Sequence, residues 1–209
     1  MNRTVLLALA ALLAVAACDE DDGGFDTGLD DGSPDGDTDA DADSDADVDG
    51  EGECGDLDDN FDPTWVELEE QVLELVNEQR SQGADCGSAG SYGSAPPLAM
   101  QSQLRAAARR HSWHMGDNGY FAHESPGGPC GDDLVGRVES AGYTGWSALG
   151  ENIAAGYPSP EQAMAGWMSS DGHCSNIMES SFEEIGIGYA EVPGSEFGAY
   201  WTQDFGRSF

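Results

Sequence analysis

The sequence predicts an α+β domain over residues 62–209, with an antiparallel sheet covered by helices. Three observations predict it. Segments of helical period, each with its own cap, fill the first part of that stretch. Two runs with strand alternation, EIGIGYAEV and FGAYWTQDFG, are gathered late, around Pro193-Gly194, as a hairpin. Helices first and strands last is the order of an α+β domain, and about 150 residues can bury a substantial core.

The first helix opens at Asp62-Pro63, a cap followed by proline at the first helical position. Leu68, Val72, Leu75 and Val76 repeat at helical spacing, and Gly83 ends the run. Cys86 to Pro97 is rich in Gly, Ser and Pro and reads as loop. A second, central helix follows in LRAAARRHSWHMGDNGYFAH, Leu104 to His123, which holds three of the four histidines. At about 100° per residue, Leu104, Ala108, His111 and Met115 form one stripe, and Arg105, Arg109 and Arg110 point elsewhere. The helix leaves through Gly116 and Gly119 into an extended Tyr120-Phe121-Ala122-His123.

Ser125 to Pro129 is loop, and Asp132-Asp133 cap a short helix with Leu134, Val135 and Val138 on its inner side. Gly142 to Gly150 reads as loop before Glu151-Asn152-Ile153-Ala154-Ala155-Gly156. Ser159-Pro160-Glu161-Gln162 is a capping box for a helix carrying Ala163, Met164 and Trp167, and Asp171-Gly172-His173-Cys174 reads as a turn.

Ahead of the domain, the apolar run Val5–Ala17 follows Arg3 and has signal-peptide length, short of the ~20 residues of a membrane span. It ends Val15-Ala16-Ala17-Cys18, which resembles the lipobox of bacterial lipoproteins: residues 1–17 are a signal peptide, and Cys18 is the residue acylated after cleavage. Two acyl chains hold a protein stably on a membrane. The expected location is therefore the extracytoplasmic side of a bacterial cell envelope; without acylation the protein is simply secreted. Residues 18–61 alternate Asp with Ala, Gly and Ser, offer no apolar surface to bury, and predict a disordered, extended tether. Asp45, Asp47, Asp49 and Gly50 match the start of a calcium loop, with Asp56 at its twelfth position. The usual Glu is missing there and an Asp-Ala repeat makes such matches by chance, so a solvated spacer is the reading taken.

The chain has 41 acidic residues against 7 arginines and no lysine, a formal charge of −34. Nucleic acid phosphates are repelled by such a charge, so no nucleic acid partner is expected. The missing lysine excludes a P-loop, a Ser-Lys dyad and Schiff-base chemistry. After acylation of Cys18, Cys54, Cys86, Cys130 and Cys174 remain, and outside the cytoplasm an even count predicts two disulfides with three pairings open.

LVNEQR, AAARRHSWHM, YFAHESPGG, GENIAAGYPSPEQ, GWMSSDGHCSNIM, EEIGIGYAE and YWTQDFG, in this order, resemble the signature of the CAP superfamily (SCP domain), in its bacterial branch. The resemblance spans about Leu68 to Gly206. It implies a three-layer α-β-α sandwich, an antiparallel central sheet and a shallow cleft. In eukaryotic members that cleft is lined by two histidines and two glutamates that can hold a divalent metal, often zinc.

Carried over residue by residue, the resemblance assigns His123 and Glu151 to this cleft. The other two positions hold Ser170 and Tyr200, and the bacterial branch supplies His173 instead, with His111 in the central helix. His123, His173 and Glu151 thus form a candidate three-ligand zinc set, with His111 as a fourth ligand or an orienter. The plainer readings are a core histidine for His111 and a backbone-capping turn residue for Glu151. The same resemblance implies the pairings Cys86–Cys174 and Cys54–Cys130.

Standard hydrolase signatures are missing: Gly127 stands where a zincin needs its second histidine, and a Ser-His-Glu set using Ser125 or Ser170 has no positive signature. Three functions follow. The leading one is an anchored CAP domain whose His/Glu cleft takes a divalent cation and a small lipid-like or peptide ligand. The others are a metal-assisted peptide or ester hydrolase with Glu151 as general base, and a structural or adhesion module.

Overall fold

The computed structural model describes residues 62–128 and 130–209. The signal peptide, the acylation of Cys18, the acidic tether with its calcium-loop pattern, and Cys54 with its pairing to Cys130 lie outside the described residues.

Helix α1 is Pro63–Gln82, and its start follows the cap: the Asp62 carboxylate accepts from the Thr64 N–H at 2.8 Å. Gly83 stops it at φ 80, a conformation that costs glycine little. Strand β1 (Ala84–Asp85), just ahead of the stretch read as loop, pairs antiparallel with β2 (Ser91–Tyr92) inside it. β3 (Ala99–Met100) leads into α2, Ser102–Asn118, which Gly119 closes in the left-handed conformation. Then come α3 (Leu134–Ser140), capped by Asp133, and β4 (Trp146–Ala155). α4 (Pro160–Met168) is capped by Ser159 and is followed by α5 (Asp171–Met178), β5 (Glu184–Glu191) and β6 (Ala199–Ser208).

The expected hairpin of β5 and β6 is present, with Tyr189 opposite Trp201. The main sheet runs β3-β5-β6-β4. It is antiparallel except for its short edge, where β3 runs parallel to β5.

Several expectations are corrected. Trp146–Gly150, read as loop, is the first half of β4, so Glu151 stands inside a strand and is not a turn residue. The Asp171–Cys174 turn is the first turn of α5. Val135 is exposed, because α3 is only seven residues long and turns Val138 and Arg137 inward instead. Arg109 and Arg110 do leave the apolar stripe, yet both are buried. Arg109 donates to the buried Glu69 carboxylate of α1 at 2.7 Å, and Arg105 joins it through Nε at 2.8 Å.

Helices α1, α4 and α5 cover one face of the sheet and α2 with α3 the other, as the sandwich requires. On the first face Ile185, Ile187, Trp201 and Phe205 meet Val72, Val76, Trp167 and Ile177. The two buried indoles keep their N–H groups satisfied: Trp167 donates to the Ile153 carbonyl and Trp201 to the Tyr157 carbonyl. Arg80 is fully buried and donates to carbonyls of Pro96, Ile177, Glu179 and Phe182, tying α1 to the segments around α5.

On the second face β5 offers Gly186 and Gly188, and α2 lies directly on them. A Cβ on Gly188 would stand 2.2 Å from the Ala108 carbonyl carbon, and one on Gly186 2.0 Å from that of Leu104. The separation of helix and sheet is thus set by main chain on main chain, which brings His111 of α2 down to the level of β4. Among the described residues no helix is long and apolar enough to cross a membrane.

Candidate functional site

Glu151 sits near the middle of β4 on the α2 side of the sheet, with Asp204 of β6 directly opposite. Its side chain is 4% exposed. One carboxylate oxygen, Oε1, is 2.7 Å from His123 Nδ1, in the loop after α2. The other, Oε2, accepts from Arg137 of α3 at 2.5 Å. The same guanidinium donates to the His123 carbonyl at 3.0 Å and to Ser125 Oγ at 2.9 Å, so α3 holds both the carboxylate and the loop.

Ser125 Oγ lies 3.0 Å from His111 Nδ1. Oγ also accepts from Arg137, while the other ring nitrogen, Nε2, is buried without a hydrogen-bond partner. That atom is 3.9 Å from Glu151 Oε2. His111 is fully buried, and burial is the main reason its pKa falls to about 4, against the pull of Glu151. Above that pH the contact joins a neutral ring to a carboxylate and is no ion pair.

Burial alone would push the Glu151 carboxyl up. The His123 hydrogen bond and the charge of Arg137 outweigh it and hold the group below its ordinary value. Asp204 is the reverse case. It is wholly buried, and desolvation followed by the Glu151 charge drives its pKa well above the usual carboxylate range, with Arg137 opposing. Two carboxyls opposed across one ladder, with one guanidinium bonded to Glu151, favour one charge and one proton.

His123 is the outward member: its side chain is 57% exposed, and with Nδ1 on Glu151 its Nε2 is the ring nitrogen left for solvent. His173, in the first turn of α5, is half-buried. Its pKa is lowered by burial and then by the charge of His123. Its carbonyl accepts from Asn152, the neighbour of Glu151, but no hydrogen bond or ion pair joins its ring to Glu151. Asn176 of α5 donates to the Glu151 carbonyl and to the Asn152 side chain, fixing α5 against β4. His114 is only partly buried and bonds the Tyr120 hydroxyl at 2.7 Å, and the Tyr120 ring lies 6.3 Å from that of His111.

Of the four residues expected around one hollow, His123 and His111 lie against Glu151, and the His173 ring is tied to them through the charge it feels from His123. A catalytic zinc needs three protein ligands at roughly 2 Å. Both Glu151 oxygens are engaged by His123 and Arg137, and among the described residues no group of three His, Cys, Asp or Glu side chains is poised for a metal ion. Arg137 and Asp204 are the members that sequence reasoning missed. An arginine among the inward positions of so short a helix was the available signal for the first. For the second it was an aspartate inside the apolar alternation of YWTQDFG.

The disulfide Cys86–Cys174 is present, with Cα atoms 5.5 Å apart, and it clamps the turn before β2 to α5 beside His173.

The profile of the Cysteine-rich secretory protein family (CAP) matches residues 73–205. The uncharacterized protein YkwD of Bacillus subtilis is 36% identical over 138 residues, which is 66% of this chain and 46% of that protein. The membrane protein YlbC of the same organism, also uncharacterized, is 29% identical over 148 residues, 69% of this chain and 37% of that one. Among solved structures, an extracellular SCP-domain protein of Bacillus anthracis matches with a TM-score of 0.57 and 30% identity, over 71% of this chain and 44% of that chain. A cysteine-rich secretory protein of Staphylococcus aureus, at 17% identity and a TM-score of 0.53 over 70% of this chain and 40% of its own, shares the fold. The chain therefore spans less than half the length of these relatives. On the profile match and on the order of its elements, the chain belongs to the CAP family, the cysteine-rich secretory proteins.

Proposed function

We propose that the protein is an exported CAP-domain protein, held on a membrane through acylated Cys18, whose His123–Glu151 site binds a small lipid-like or peptide ligand. The observation that carries this reading is the two-sided hold on Glu151. With Arg137 on one oxygen and His123 on the other, the carboxylate fixes the orientation of a half-exposed imidazole and leaves its Nε2 open. A preset polar group at a surface is what a ligand site needs for orientation. Export is supported by the apolar run before Cys18 and by the Bacillus anthracis relative, which is described as extracellular.

The test is a ring-resonance titration of His123 in the full chain against panels of lipids and peptides. A ligand that moves the His123 signals, and is lost in His123→Ala at unchanged melting temperature, supports the reading. Stoichiometric zinc in protein prepared without chelator, lost in the same variant, would replace it with a metal-centred one. Retention of an ordinary phenotype without any ligand would leave a structural envelope module. Metabolic labelling with palmitate, abolished by Cys18→Ser, tests the anchor.

A second reading is favoured by the same pair. A carboxylate behind a histidine is the arrangement that orients a general base, and a hydrolase on this site would use His123 in that role. Glu151, with both oxygens engaged and its basicity lowered, would position it. Turnover of a peptide or ester library that disappears in His123→Ala supports this; turnover that survives the change excludes it.

A further inference from the structure

Apart from the histidines, the β5–β6 hairpin walls a cavity of about 340 Å³. That volume is in the range of small-molecule sites, roughly 300–1,000 Å³. Pro158, Tyr189, Glu191, Pro193 and Phe197 line it, together with Gly156. The two rings are fixed by contacts outside this lining. Tyr189 lies against Trp201 with centroids 4.3 Å apart, and Trp65 meets it edge-on at 5.7 Å. Phe197 is flanked by Tyr200 at 6.0 Å and Phe121 at 5.9 Å, yet remains 39% exposed. Gly156 stands at φ 80, a left-handed conformation that favours glycine.

The chemistry of the walls selects a ligand. Glu191 is the lining side chain that is charged at neutral pH, and no arginine lines the cavity. Its charge reaches the aromatic end, where burial first and Glu191 second push the Tyr189 hydroxyl up. The surrounding residues 63–209 carry 20 acidic side chains and six arginines, so the field repels anions. An acyl chain would gain the apolar walls but would leave the Glu191 charge without a counter-charge. A compact cation with an apolar surface satisfies both features, because an aromatic face attracts positive charge and Glu191 supplies the counter-charge.

We infer that the hairpin cavity binds a compact organic cation of the quaternary ammonium or N-methylated amine class, against the exposed Phe197 ring and Glu191, with the buried Tyr189 completing the lining. Such a group occurs as a free solute or in a lipid headgroup, and the shared chemistry is the trimethylammonium. The site is separate from His123 and does not depend on the function proposed for it.

The test is calorimetric titration of the full chain with choline, with 3,3-dimethylbutanol as its uncharged carbon isostere, and with glycerophosphocholine. Saturable choline binding is expected, weakened about tenfold or more in Glu191→Gln and in Phe197→Leu, at unchanged melting temperature because both residues are exposed. His123→Ala should leave it unaltered. Glycerophosphocholine binding as well as choline assigns the site to a headgroup; choline binding alone assigns it to a free cation. The inference is overturned if dimethylbutanol binds as tightly as choline, if neither substitution weakens choline, or if choline produces no saturable heat beyond that of sodium chloride.

Discussion

Replacing Gly188 with alanine puts the seating of α2 on the sheet to a direct test. The added Cβ would lie 2.2 Å from the Ala108 carbonyl carbon and from the Arg109 nitrogen, and 2.4 Å from the Ala108 oxygen. Ordinary contacts begin near 3.4 Å, so a gap of more than about 1 Å must open between helix and strand. The atoms in the way are helix backbone, which has no rotamer to yield. Overpacking costs about 1–3 kcal/mol in cores where side chains can adjust, so the upper figure of about 3 kcal/mol applies here. At about 2–4 °C per kcal/mol for a domain of this size, the melting temperature should fall by about 6–12 °C.

The control is Gly172→Ala in α5, where a Cβ meets nothing within 4 Å. Alanine in a helix is favoured over glycine by roughly 0.5–1 kcal/mol, so this variant should melt at or above the parent temperature. Scanning calorimetry and urea titration of both variants provide the readout. If Gly188→Ala melts within about 2 °C of the parent protein, helix and sheet are not in main-chain contact, and that contact is not what brings His111 to Glu151.

Three further outcomes are expected. Arg137→Met removes the guanidinium from Glu151 and leaves a buried carboxylate beside Asp204, so a loss of about 3–5 kcal/mol is expected in urea titration. His111 has its folded pKa lowered to about 4 from an ordinary 6.5, so between those values the unfolded chain takes up a proton that the fold refuses. Stability should therefore fall as pH drops from 6.5 to 4, by about 3 kcal/mol through this residue, and that part of the pH profile should disappear in His111→Gln. Reducing Cys86–Cys174, which closes a sequence separation of 88, should cost about 4–5 kcal/mol in the chain-entropy account, read as a drop in melting temperature with reductant.

The parts of the fold legible in the sequence were those encoded locally. Asp62-Pro63, Ser159-Pro160 and Gly119 mark helix ends through groups within a turn of each other, and the alternation of Ile185, Ile187 and Tyr189 with small residues marks β5. The first half of β4 was not legible because its residues were chosen by distant neighbours. Gly150, a poor strand former, is required where the Phe182 ring would come within 2.8 Å of a Cβ. Burial of arginines is equally non-local: Glu69 lies 40 residues from Arg109, and no periodicity of α2 reveals it. At the site, family resemblance supplied His123, Glu151, His111 and His173. The partners that set their chemistry, Arg137 and Asp204, come from a helix too short to show a pattern and from the opposite strand.

The strand order β3-β5-β6-β4 places β6, the latest of the described strands in the sequence, between two that were made before it. Until β6 is available, β4 has no neighbour in the sheet and Glu151 has no Asp204 facing it. Completion of this fold therefore waits on the far end of the domain. A stop codon before Ala199 would leave two orphan strand edges and a product suited to degradation or aggregation, even with every helix intact.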